Sequence, residues 1–148
     1  NLLREHPGEV AVKILGIAAS AASIIAMAGD QVTIARSGFF MIHNVWGGVI
    51  GDRNELAAAI EYMAMVDEAM ADLYALRSDK GADAIAAMMD RETYLSGKAT
   101  ISAGFADGYL PSDAVTADLA ASAEGERSPQ QLRVKRQRQV CRQIPCHR

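Results

Sequence analysis

From Glu9 to Leu15 the chain reads Glu-Val-Ala-Val-Lys-Ile-Leu, with β-branched residues alternating, and this pattern predicts a strand that Gly16 ends. Ile17 to Ala28 is a run of small and apolar residues suited to a helix buried on most faces, stopped by Gly29-Asp30. The unit predicted is strand, tight turn, buried helix. Gln31 to Ala35 and Phe39 to Ile42 read as two further short strands separated by Arg36-Ser37-Gly38, with His43 at the end of the second. Asn44 to Asp52 contains Gly47, Gly48 and Gly51 and reads as a loop. From about Asn54 to Arg77, Leu56, Ile60, Met63, Val66, Met70 and Leu73 recur at spacings of three and four, the signature of a long amphipathic helix whose other face is acidic. Gly81 breaks it. A short helix over Ala82–Met89 leads to Asp90–Leu95; Ser96 then caps a last short helix closed by Gly104, and a strand follows at Gly108–Leu110.

Composition fits helices packed on a small sheet, since half of the residues are apolar and aromatics are few. An α/β fold of one domain is expected over residues 1–110. The opening Asn1–Pro7 reads like the last turn of a helix and the chain does not begin with Met, so further residues upstream are expected. The longest uncharged stretch, Ile14–Ala28, falls short of the roughly 17–25 residues of a membrane span, and no basic leader precedes it. A cytoplasmic protein without a membrane anchor is the expectation. Both cysteines, Cys141 and Cys146, lie in the last eight residues and show no metal-ligand spacing.

Charge separates the end of the chain from the rest. Residues 1–126 carry 8 Lys+Arg against 18 Asp+Glu, whereas residues 127–148 carry 7 basic residues and no acid. Residues 111–148 are therefore read as a flexible tail, basic from 127, too poor in apolar residues to bury a core. No aromatic interleaves its charges, which argues against nucleic-acid binding.

A serine becomes a nucleophile where its hydroxyl meets a base and backbone N–H groups can receive an oxyanion. Ser20 meets that need: it stands four residues after the strand-ending Gly16, with Ala18, Ala19, Ala21 and Ala22 around it, so a substrate backbone can approach closely. Ser23, one turn further along, has a hydroxyl that can bond back to a helix carbonyl. Of three histidines, His6 lies in the entry segment and His147 in the tail. His43, at a strand end before a glycine-rich loop, is left as the candidate base. Taken singly, each has a structural reading too: a small serine packed in a helix, a histidine at a strand end.

Together the motifs resemble a known family. Gly16-Ile17-Ala18-Ala19-Ser20 is similar to the nucleophile motif of the Clp protease proteolytic subunit, and Phe40-Met41-Ile42-His43-Asn44 with Gly47, Gly48 and Gly51 resembles its histidine motif. Arg91-Glu92-Thr93-Tyr94-Leu95-Ser96, followed by Gly104-Phe105-Ala106-Asp107, resembles its third signature. The phage and prophage head-maturation subgroup is the nearest in flavour, through Ile-Ala-Met-Ala-Gly-Asp, His-Asn-x-Trp-Gly and Glu-Thr-Tyr-Leu-Ser.

The resemblance implies a crotonase-like α/β subunit of βαβ repeats with a long handle helix, whose upstream strands are missing from this chain. It implies a serine endopeptidase with Ser20 as nucleophile, His43 as base, and an acid two positions before the aromatic, Glu92, with Asp90 as the alternative. Ala21 N–H would serve as an oxyanion donor, and Gly47 and Gly48 would admit an extended peptide. The implied partners are a peptide or protein substrate, further copies in a homo-oligomeric ring touching through Met63–Met70, and an ATP-dependent unfoldase or phage capsid proteins. No metal or other cofactor is expected, there being no phosphate-loop or zinc motif. Two other readings stand beside this one: a catalytically inactive fragment or structural subunit of the same fold, and a crotonase-like acyl-CoA enzyme. Neither needs the Ser20, His43 and acid set to work as a unit.

Overall fold

The structure is a computed structural model that describes residues 2–113 of the 148-residue chain; of the flexible tail expected over 111–148, Pro111–Asp113 forms a short 3-10 turn and the remainder, including the basic part from 127, lies outside the described residues. Two three-stranded sheets form the frame. In the first, β1 (Ala11–Ile14) pairs in parallel with β3 (Gln31–Ile34), and β3 pairs in parallel with β6 (Gly108–Tyr109). In the second, β2 (Ile17–Ala19) pairs in parallel with β4 (Phe39–Ile42), and β4 pairs antiparallel with β5 (Thr93–Ser96). Helices α1 (Ala21–Ala26), α2 (Arg53–Ala75), α3 (Ala82–Met89) and α4 (Gly97–Ser102) connect and cover them. The mixed α/β architecture expected from the sequence is the one observed.

Three local expectations fail. Ile17–Ala19, read as the first turn of a buried helix, is strand β2, and the helix begins only at Ala21. Alanine's helix preference amounts to tenths of a kcal/mol per residue. Against it stand backbone bonds that run from end to end of β2, Phe39 N–H to the Gly16 carbonyl (2.7 Å) and Ser20 N–H to the Met41 carbonyl (3.2 Å), and the burial of Ala18. Thr93–Ser96, given no element from its sequence, becomes β5 by pairing with β4, from Phe39↔Ser96 to Ile42↔Thr93. The entry segment, read as a helical turn, forms turns over Leu2–Glu5 with no helix.

The core lies where the sheets meet the helices. Ile14, Val32, Ile34, Phe40 and Ile42 from the strands pack with Tyr74 of α2, Ile85 and Met89 of α3, and Phe105. Phe40 stacks on Phe105 at 5.2 Å between ring centroids, and Tyr74 meets both edge-on. Such ring contacts add about 0.5–1.5 kcal/mol per pair to their area burial. Asp52 starts α2 with a full capping box, accepting from the Asn54 and Glu55 N–H groups while the Glu55 carboxylate accepts from the Asp52 N–H. Only the C-terminal part of α2 enters the core, through Ala71 and Tyr74; Leu56 and Ile60, at the start of its apolar stripe, stay exposed. No helix among the described residues is long and apolar enough to cross a membrane.

Candidate active site

β2 delivers Ser20 to the corner between strand and helix. Its backbone lies at φ 56°, ψ −127°, a left-handed conformation that non-glycine residues rarely adopt. Five contacts hold it there. The Ser20 N–H continues the β2–β4 ladder, and the Ser20 carbonyl accepts from the Ser23 N–H (3.0 Å), the Ile24 N–H (3.3 Å) and the Ser23 hydroxyl (2.6 Å). The fifth is made by the side chain: Ser20 Oγ lies 2.8 Å from His43 Nε2. A strained serine at a strand-to-helix turn with its hydroxyl on an imidazole nitrogen is an arrangement in which a proton can pass between the two. Ala21 is the first residue of α1, so its N–H has no intrahelical partner and is free to meet an anion.

His43 follows the last residue of β4, half-buried beside the corner. For Nε2 to accept the serine proton, Nδ1 must carry the ring hydrogen. The two candidate acids lie on the turn between α3 and β5, both exposed. Glu92 has a left-handed φ of 48°, and its carboxylate accepts from the Tyr94 hydroxyl at 3.2 Å. Asp90 accepts from the Asn44 side-chain amide at 2.8 Å. Neither carboxylate is hydrogen-bonded to His43. The β4–β5 ladder ends at the Ile42–Thr93 pair, with His43 just after β4 and Glu92 in the turn just before β5.

The loop after His43 has no regular secondary structure up to Asp52 and is tied to α2 by the Val45 N–H, which donates to Asp67 at 2.6 Å. Gly47 and Gly48 are exposed, and a Cβ at Gly48 would touch nothing. Ser23 is fully buried, its hydroxyl shared between the Ser20 carbonyl and, at 2.6 Å, the Tyr74 hydroxyl. Sequence reasoning did not reach Tyr74, Asp67 or the Asn44–Asp90 bond. Tyr74 offered one signal, a polar group on the buried side of an amphipathic helix one turn after Met70.

Comparison with known families matches residues 1–112 to Clp protease. Among curated proteins the chain is similar to an ATP-dependent Clp protease proteolytic subunit of Leuconostoc citreum (strain KM20), 28% identical over 101 residues, which cover 66% of this chain and 50% of that relative. The chain thus spans about half the length of the curated relative it matches. With most of its length matched by the family, the chain belongs to the Clp proteases.

Proposed function

We propose that this member of the Clp protease family is a serine endopeptidase in which Ser20 is the nucleophile, His43 the general base and Glu92 the carboxylate that orients the imidazole. The observation that carries the reading is the 2.8 Å contact between Ser20 Oγ and His43 Nε2 at a strained backbone corner. Ser20 Oγ attacks a peptide carbonyl carbon while its proton passes to His43 Nε2, and the oxyanion that forms accepts from the Ala21 N–H. The imidazolium then protonates the leaving amine, and water repeats the sequence on the acyl-enzyme. Glu92 is favoured over Asp90 because the β4–β5 register runs from Ile42↔Thr93 toward His43 and Glu92, and because Asp90 is engaged by Asn44. To reach the ring Glu92 exchanges one exposed 3.2 Å bond with Tyr94, a small cost.

The same reading gives Gly47 and Gly48 to an extended peptide substrate. It gives the stretch of α2 from Met63 to Met70, where Met65 is exposed, to contact between subunits of a ring in the cytoplasm. Substrate would arrive from an ATP-driven unfoldase or, in the phage head-maturation subgroup, as capsid protein. A fluorophosphonate reagent with mass spectrometry to place the adduct tests the core of this. The adduct is expected on Ser20 and is lost in Ser20→Ala, while Ser23→Ala still carries it on Ser20. No adduct on the wild-type chain, or an adduct elsewhere, refutes the assignment and leaves the inactive-subunit reading.

A further inference from the structure

The buried hydroxyls of Ser23 and Tyr74 are not needed to explain the fold of α1 or α2, and their hydrogens can be placed by elimination. The Ser20 carbonyl, 2.6 Å from Ser23 Oγ, can only accept, so the single Ser23 hydrogen points there. The Tyr74 hydroxyl, 2.6 Å from the same Oγ, must then be the donor in that contact. A chain of two donated bonds runs from Tyr74 on α2 through Ser23 on α1 to the Ser20 carbonyl. Both side chains are fully buried, so water cannot stand in for either bond. Each bond in such a chain polarises the next.

The carbonyl it ends on has a particular place. The Ser20 C=O and the Ala21 N–H belong to one planar trans peptide and point in opposite directions, so whatever fixes the first aims the second. We propose that Tyr74 and Ser23 are positioning residues that set the Ser20–Ala21 peptide plane, and so hold the Ala21 N–H toward the oxyanion. The inference rests on the peptidase reading above. It also links the C-terminal part of α2 to the reacting centre through atoms that touch neither substrate nor His43.

The test uses the 148-residue chain and a fluorophosphonate, with the Ser20 adduct followed over reagent concentration at a temperature where every variant is folded by circular dichroism. Removing an oxyanion donor slows serine hydrolases by about 100- to 1,000-fold, and a donor that is misaimed rather than lost should cost roughly tenfold. Tyr74→Phe, which keeps the ring packing, is expected to lower the maximal inactivation rate by that order. The reagent's half-saturation concentration should stay unchanged, because the oxyanion forms only in the transition state. Ser23→Ala is expected to be at least as slow, and the double variant no slower than Ser23→Ala, since one chain carries both effects. The Ala21 amide resonance should move in both single variants. A labelled wild type with an unchanged rate in Tyr74→Phe overturns the relay alone, as do losses that multiply in the double variant. A wild type that takes no label overturns the peptidase reading and the relay with it.

Discussion

Replacing Ser20 by glycine should give a more stable protein than replacing it by alanine, although both changes destroy the same hydroxyl. Comparing the two with each other cancels the lost 2.8 Å bond to His43 and leaves the backbone. At φ 56° and ψ −127°, a residue with a Cβ costs about 1–3 kcal/mol, which glycine does not incur. Against this, glycine loses about 0.4–1 kcal/mol more chain entropy on folding. It also gives up a half-buried methyl, roughly 0.4 kcal/mol on the scale of about 0.8 kcal/mol per buried CH₂. With the strain taken at mid-range, the balance favours Ser20→Gly over Ser20→Ala by about 1 kcal/mol, or about 3–5 °C in Tm for a folded unit of this size. Urea unfolding and calorimetry of the two variants measure it, and neither variant should take the fluorophosphonate. An alanine variant as stable as the glycine variant, or more so, would show that the corner is not strained.

The remaining expectations concern the acid, a close backbone approach and alkaline stability. Glu92→Gln should keep the fold and slow labelling at Ser20 by two orders of magnitude or more, since an amide cannot stabilise imidazolium, whereas Asp90→Asn should be mild; the reverse ranking in single-turnover labelling would move the acid role to Asp90. Gly97→Ala should destabilise by about 2–3 kcal/mol in urea, because its Cβ would stand 2.5 Å from the Ala35 carbonyl oxygen, a backbone atom that cannot swing away. Burial pushes the Tyr74 hydroxyl above its usual 10.0, so the unfolded chain loses its proton first. The stabilisation from neutral Tyr74 is therefore complete below pH 10.0 and lost as pH climbs toward the raised folded value. Tyr74→Phe should flatten the fall in stability above pH 10.0, and parallel curves for the two proteins would contradict it.

Elements whose signals are local were legible in the sequence. β3, β4 and α3 stand between breakers such as Gly29-Asp30, Gly38 and Gly81, and each carries its own period, so their positions needed no knowledge of neighbours. The interior of α2 was legible for the same reason. β2 and β5 were not, because neither is a strand by composition: Ile17-Ala18-Ala19 favours helix, and Thr93-Tyr94-Leu95-Ser96 is four residues with no turn signal before it. Both are strands because β4 lies between them with unpaired backbone on either side. At the site, His43 was legible as a residue at a strand end, and Ser20 as one at the start of a helix. Their 2.8 Å contact was not, since it depends on the register of β2 against β4. The Tyr74–Ser23 bond joins residues 51 positions apart and left no pattern in either.

The chemistry of the site follows from the directions of three strands. β2 and β4 run parallel with Ala19 opposite Met41, so Ser20 and His43, which follow their last residues, emerge at the same end of the sheet. β5 runs the other way, so the end at which β4 finishes is the end at which β5 begins, and Glu92 precedes it there. Ser20, His43 and Glu92 thus lie at one sheet end although they are spread over the chain from position 20 to position 92. What fixes their spacing is the register of β4. A slip of one residue would move His43 by about 3.3 Å along the strand and turn Phe40 and Ile42 out of the core. Both are fully buried, and Phe40 packs with Tyr74 and Phe105 in the aromatic cluster. The core that stabilises the fold therefore also holds the imidazole within reach of the serine, and Tyr74 serves both ends, packing its ring on Phe40 and sharing a hydrogen bond between its hydroxyl and that of Ser23.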